Sequence, residues 1–186
     1  RAPGNTCMTA LERIIQGRNS MNDSKGCGGV MRIAPIPLYG LSQNRISNVE
    51  ALNELAADAA ELTHEHPLGY IPAYVMSHII YRLGTDESPT RETFHKYVLE
   101  AMQMADKKYA SQNQSMKILH ALMEKAFVLA SEGTPEHEAI SQIGEGWVAE
   151  ETLAIAVYCA AKHFDDFEKA IIAAVNHDGD SDSTGA

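Results

Sequence analysis

The sequence closes with Asn176-His177-Asp178-Gly179-Asp180-Ser181-Asp182-Ser183-Thr184-Gly185-Ala186. Aspartates at alternate positions, followed by hydroxyls, concentrate hard oxygen donors. Mg²⁺, Mn²⁺ and Ca²⁺ take such donors, whereas zinc prefers thiolate and imidazole. The carboxylates also repel one another, a cost that a bound cation relieves. The plainer alternative is a solvated acidic tail. An EF-hand loop fits poorly. Asp178, Asp180 and Asp182 match its first, third and fifth positions, but its glycine falls on Ser183 and its glutamate would lie beyond Ala186.

A second chemical segment is Asp23-Ser24-Lys25-Gly26-Cys27-Gly28-Gly29-Val30-Met31-Arg32. Its glycines allow a tight fold that turns backbone N–H groups toward an anion or a ribose, and Ser24 and Lys25 add a hydroxyl and a charge. No strand precedes it, so neither a dinucleotide fingerprint nor a Walker A loop applies, and a plain turn stays open. Thr63-His64-Glu65-His66-Pro67 bridges two helical stretches. His64 and His66 are two apart and cannot share a helix face as zinc-binding histidines do, so a hydrogen-bonded structural role competes with a functional one. Gly144-Glu145-Gly146-Trp147-Val148-Ala149-Glu150-Glu151 leads a loop into a helix and carries the sole tryptophan. Glu150 and Glu151 in a first turn are accounted for by the helix dipole.

The elements that must position these groups are helical. Val49, Leu52, Leu55, Ala56 and Ala59 form an apolar stripe within 48–63, with Ser47 or Asn48 as N-cap. Segments 68–83, 90–107, 113–132, 148–163 and 165–176 repeat the pattern, Gly84 reads as a C′ residue, and Pro135 opens a helix over 135–142. Val30 to Leu38 is the best strand candidate, but Pro35 and Pro37 disqualify it as a central one. The expectation is an all-α single domain of seven or eight helices. With 186 residues, 45% of them hydrophobic, the chain can bury one sizeable core. Its net charge of −10 repels phosphate backbones and anionic lipid, so nucleic acid and membrane are poor partners. Cys7, Cys27 and Cys159 give neither a disulfide framework nor a zinc knuckle, which points to a reducing, cytoplasmic setting.

Taken in order, five motifs resemble the ADP-ribosylglycohydrolase family: Pro3-Gly4-Asn5-Thr6, Gly26-Cys27-Gly28-Gly29 with Met31-Arg32, Thr63-His64 with Leu68-Gly69, Gly146-Trp147-Val148-Ala149-Glu150-Glu151, and Gly179-Asp180-Ser181-Asp182-Ser183-Thr184. The resemblance runs over 1–186. It implies a compact, orthogonal multi-helix bundle with a two-ion Mg²⁺ or Mn²⁺ centre that hydrolyses ADP-ribosyl bonds on a protein side chain, arginine foremost, or on a small acceptor. Asp180 and Asp182 would be the catalytic residues and, with Ser183, the metal ligands. Ser24, Lys25, Gly26, Cys27 and Gly28 would hold diphosphate and ribose, His64 would contact substrate, and Glu151 would shape the adenosine side. Family members also carry an N-terminal Thr/Ser-Asp-Asp group that completes the metal site, and a further helix at the end. Neither is found between Arg1 and Ala186, so the resemblance implies the middle and later part of a longer protein. That missing N-terminal segment becomes an expected partner, and the chain alone is expected to be weakly active. The competing reading is an immunity or binding protein of the same fold that neutralises an ADP-ribosyltransferase.

Overall fold

The computed structural model describes residues 4–43 and 48–186. Among them lie α1 (Asn5–Ile15), a 3₁₀ turn (Val30–Arg32), α2 (Pro35–Gln43), α3 (Val49–Glu61), α4 (Pro67–Thr85), α5 (Arg91–Lys108), α6 (Asn113–Ser131), α7 (Glu136–Ile143), α8 (Ala149–Lys162), α9 (Phe167–Val175) and the single turn α10 (Ser181–Thr184). No strand occurs among the described residues; one isolated antiparallel bridge joins Gly26 to Val148. The fold is all-α, as the periodicity requires. No helix among the described residues is long and apolar enough to cross a membrane.

The long helices fall where the apolar spacing places them, and their ends follow local chemistry. Asn48 caps α3 by accepting from Glu50 N at 3.0 Å; Ser47, the other candidate, lies outside the described residues. Thr90 and Thr93 form a reciprocal capping box on α5. Asp166 caps α9 through Lys169 N, and Pro135 stands one residue before α7 as its N-cap.

The stretch from Val30 forms no strand, as its prolines imply; Pro35 and Pro37 both fall in the first turn of α2, where a missing N–H costs no intrahelical bond. Three expectations are corrected. Ten α-helices occur among the described residues rather than seven or eight. Gly84 lies inside α4 rather than beyond it. A Cβ there would sit 2.3 Å from Leu41 Cδ1, so this glycine admits α2 against α4. The buried face of α3 is Leu52, Asn53, Ala56, Ala57 and Ala60, while Leu55 is exposed. The small residues turn inward because α4 needs close approach.

Helix α4 lies at the centre, packed by α2, α3, α5 and α8, and is buried on nearly every side. Tyr74, Ile71 and Val75 are fully enclosed, as are Tyr158 and Ile155 of α8. These two helices bring their N-terminal ends, Pro67 and Ala149, up to the glycine segment. Gly69, in the first turn of α4, is the tightest joint. A Cβ on it would lie 2.7 Å from Ser24 O, 2.8 Å from His64 Cβ and 3.0 Å from His64 O. Backbone cannot retreat as a flexible side chain can. Gly69→Ala is therefore expected to destabilise the chain by about 1–3 kcal/mol, measured as a lowered denaturation midpoint with unchanged m-value.

Candidate active site

The glycine segment packs around His64. A Cβ on Gly28 would stand 3.2 Å from His64 Cε1, one on Gly26 3.4 Å from Nε2, and one on Gly29 3.5 Å from Nδ1. The imidazole is buried, with Nδ1 2.8 Å from Thr63 Oγ1. Arg32 lies alongside and donates to Thr63 Oγ1 (2.7 Å), Ala59 O (2.8 Å) and Gly28 O (2.9 Å). Burial, reinforced by the Arg32 charge, pushes the His64 pKa down to about 4. The ring is neutral at physiological pH.

Upstream, Glu65 fixes the approach to the loop. It accepts from Ser20 Oγ, from Met21 N at 2.8 Å and from Asn22 N at 3.1 Å, holding Met21 at φ 44°. Asn22 Oδ1 in turn accepts from Ser24 N at 3.0 Å. Ser24 Oγ accepts from Gly26 N at 3.3 Å, and Ser24 O from His66 N at 3.4 Å. His66 caps α4 through Leu68 N, which settles its structural role. The amides of Gly28 and Gly29 make no hydrogen bond to another described residue; Gly28 is partly exposed and Gly29 is buried. Beside this loop, a hollow of ≈ 440 Å³ opens between α1 and residues 20–24, lined in part by Thr6, Arg13, Asp23 and Ser24.

The loop is stitched to the Gly-Trp segment. Cys27 N donates to Trp147 O at 3.2 Å and Ala149 N donates to Lys25 O at 2.8 Å, on either side of the Gly26–Val148 bridge. Lys25 Nζ pairs with the carboxylate of Glu150, a residue only 2% exposed. The second Glu150 oxygen is buried with no hydrogen-bond partner. Glu151 Oε2 accepts from Glu145 N (3.0 Å) and Gly146 N (3.1 Å), so its carboxylate clamps the turn.

The C-terminal turn closes the arrangement. Asp180 N donates to Glu145 O at 2.7 Å, and a Cβ on Gly179 would lie 2.0 Å from that same oxygen. Only glycine lets the two loops cross there. Gly179 N donates to His177 Nδ1 at 3.1 Å, and the opposite nitrogen is 2.8 Å from Thr184 Oγ1, which donates on to Ala174 O. Asp180 is 6% exposed. Its Oδ2 accepts from Cys27 Sγ at 2.9 Å and from Ser183 Oγ at 2.8 Å, while Ser183 Oγ also lies 3.4 Å from Met31 Sδ. Asp182 is exposed, and its carboxyl is within hydrogen-bonding reach of Asp180. Burial alone would raise the Asp180 pKa, but hydrogen bonds from Cys27, Ser183 and Asp182 together hold it below the ordinary value. Burial and the Asp180 contact push the Cys27 thiol up to about 11, so it stays protonated and donates.

The structure thus gathers Lys25, Gly26, Cys27, Gly28, His64, Glu151, Asp180 and Ser183, from four stretches far apart in sequence. Ser24 and Asp182 lie at its edge. The donor types at Asp180, Asp182 and Ser183 suit a hard divalent ion, and the crowding of two carboxylates is what such an ion relieves. Among the described residues, no three His, Cys, Asp or Glu side chains converge on one point. Sequence reading missed Glu150, Glu65 and Gly179. Glu150 sits where the dipole suffices as an explanation, and its burial beside Lys25 is visible only in three dimensions.

The sequence model of the ADP-ribosylglycohydrolase family matches residues 1–186. The chain belongs to the ADP-ribosylglycohydrolase family. Among curated relatives, it is 25% identical over 177 residues to "ADP-ribosylhydrolase ARH3" of Gallus gallus, covering 86% of this chain and 46% of the relative. The ARH3 of Homo sapiens is also 25% identical, over 186 residues, covering 86% and 47%. The chain spans about half the length of these relatives. The motifs from the glycine loop, Thr63-His64, the Gly-Trp segment and the aspartate turn meet one another in the structure.

Two measurements test this geometry. Lys25→Met strands a buried carboxylate, whereas Glu150→Gln leaves a lysine that reaches solvent. The first is expected to cost about 2 kcal/mol, because the exposed lysine end weakens the pair, and the second about half that; combining them should cost less than Lys25→Met alone. For His64, the folded pKa lies below the unfolded value of 6.5, so the unfolded chain binds the extra proton between them. Stability is complete above pH 6.5 and declines as pH falls toward 4. The slope of Tm against pH in that window should be shallower in His64→Gln.

Proposed function

We propose that this chain forms part of a divalent-metal-dependent hydrolase that cleaves the glycosidic bond between ADP-ribose and a modified protein side chain, with arginine the leading acceptor. One observation carries the reading: the buried Asp180 carboxylate is fixed by Cys27 and Ser183 beside a glycine turn whose partly exposed Gly28 amide has no partner among the described residues. Family membership and the hydrolase activity that the ARH3 relatives are named for support the same assignment.

Asp180, Asp182 and Ser183 would hold Mg²⁺ or Mn²⁺. Bound there, such ions supply Lewis-acid polarisation of the ribose hydroxyls beside the scissile bond. The chain's own groups do the positioning. The Gly28 amide would donate to the diphosphate, while Lys25, neutralised by Glu150, secures the loop to α8 rather than approaching the phosphate. His64, neutral and enclosed, sets the width of the turn and adds no charge. Hydrolysis forms a C–O bond from water to C1″ and breaks the bond to the acceptor, which leaves with a proton. The positive charge that develops on the sugar in the transition state is favoured by the carboxylates around it.

The test is release of ADP-ribose from an ADP-ribosylated arginine peptide in Mg²⁺ or Mn²⁺, with the whole protein and with the 186-residue chain. Asp180→Ala is expected to lower the rate at least a hundredfold while folding is retained by circular dichroism. EDTA should abolish turnover and fresh Mn²⁺ restore it. Absence of release from arginine, serine and small-molecule linkages alike overturns the reading.

A further inference from the structure

The single tryptophan is left unexplained by packing. Trp147 is 58% exposed, although burying an indole is among the most favourable things a helical core can do. Its backbone, by contrast, is committed: Trp147 O receives the Cys27 amide, and its neighbour Gly146 (φ 79°) is pinned against the aspartate turn, where a Cβ would meet Thr184 Cγ2 at 2.9 Å and Asp180 O at 3.6 Å. Pairing of Gly26 with Val148 sets Cys27 opposite Trp147. Opposed residues of an antiparallel pair project from one face with Cβ atoms about 5 Å apart. On that face, Cys27 Sγ touches Asp180 Oδ2. The Trp147 backbone therefore lies at the aspartate end of the site, bonded to Cys27, and its indole is left largely in solvent.

The groups nearby narrow what can lie on it. Lys25 is already paired with Glu150, and the Arg32 guanidinium is spent on Thr63, Ala59 and Gly28. Glu145, two residues before the indole, is exposed. A rim with its cations committed and an aromatic face open attracts a planar cation, and guanidinium stacks on an indole face more readily than the ammonium of lysine. We infer that Trp147 is a specificity-determining residue that receives the guanidinium of an arginine acceptor as it leaves C1″. The inference rests on the hydrolase reading above and names which acceptor that site prefers.

Because Trp147 is the sole tryptophan, its emission reports the contact directly. The chain with Mg²⁺ is mixed with ADP-ribose or with ADP-ribosyl-arginine, and fluorescence is followed by stopped flow before turnover, with ADP-ribose affinity measured separately by calorimetry. ADP-ribosyl-arginine is expected to change the emission well beyond ADP-ribose. In the whole protein, Trp147→Leu should raise KM for the arginine linkage about tenfold with kcat nearly unchanged, the loss expected from a cation–π contact. A serine linkage should be unaffected, and Trp147→Phe should restore most of the arginine preference. Equal emission changes with both ligands, together with weaker ADP-ribose binding in Trp147→Leu, would show that the indole serves the nucleotide base and overturn the inference. So would ADP-ribose binding with no emission change from either ligand, the hydrolase reading then standing. A whole protein that binds neither ligand by calorimetry overturns both.

Discussion

A carboxylate taken out of water must be given donors, and Asp180 receives them from two directions. Ser183, three residues on, is a local donor that any tight turn can supply; Cys27 is 153 residues away in sequence. That second bond is the constraint on which the site depends. It obliges the glycine turn to lie beside the C-terminal turn, and therefore obliges the N-terminal ends of α4 and α8 to present both. Because burial and the neighbouring carboxylate keep the thiol protonated, the contact is a directed donor rather than a repelling thiolate. A neutral donor fixes one oxygen of Asp180 without supplying a competing negative charge where a divalent ion would add a positive one.

The glycines follow from the same crowding. A Cβ on Gly28 would press the imidazole at 3.2 Å, one on Gly29 would crowd Gly69 O at 3.0 Å, one on Gly69 would crowd Ser24 O and His64 Cβ, and Gly179 crosses Glu145 O closer than any Cβ could. These positions are conventionally read as turn signals, and composition alone cannot distinguish a glycine needed for its φ from one needed for its size. Here size dominates: Gly69 is inside a helix, and only Gly17, Gly144 and Gly146 among the described glycines have positive φ. His64 is the template around which the loop is moulded.

How far the sequence revealed this depends on the range of the interaction involved. Helices α3 to α9 were legible because their periodicity and caps are local; Asn48, Thr90 and Asp166 act within three residues of themselves. Helix α2 was not, since two prolines look like breakers until their register in the first turn is known. The stripe on α3 was misjudged at Leu55, because apolar character cannot report that the adjacent helix needs alanines. Asp180, Ser183 and the glycine segment were legible through spacing and resemblance. Glu150 was not: a glutamate at a helix start has a sufficient local explanation, and only its burial against Lys25 shows a second role.

That ion pair alters how the loop can recognise an anion. A lysine beside a phosphate-binding turn would ordinarily be counted as its charge. With Nζ held by Glu150, its positive charge is balanced before any ligand arrives, and what remains for the ligand is the backbone. Amide donors differ from an ammonium in being fixed in direction and in costing no side-chain entropy to order. The loop therefore trades long-range attraction for placement. In a chain whose formal charge is −10, that exchange would suit the proposed hydrolysis, in which a diphosphate would be held in register while the chemistry proceeds several bonds away. The buried oxygen of Glu150 left without a partner is the cost of this arrangement, and the rigidity of the joint between loop and α8 is its return.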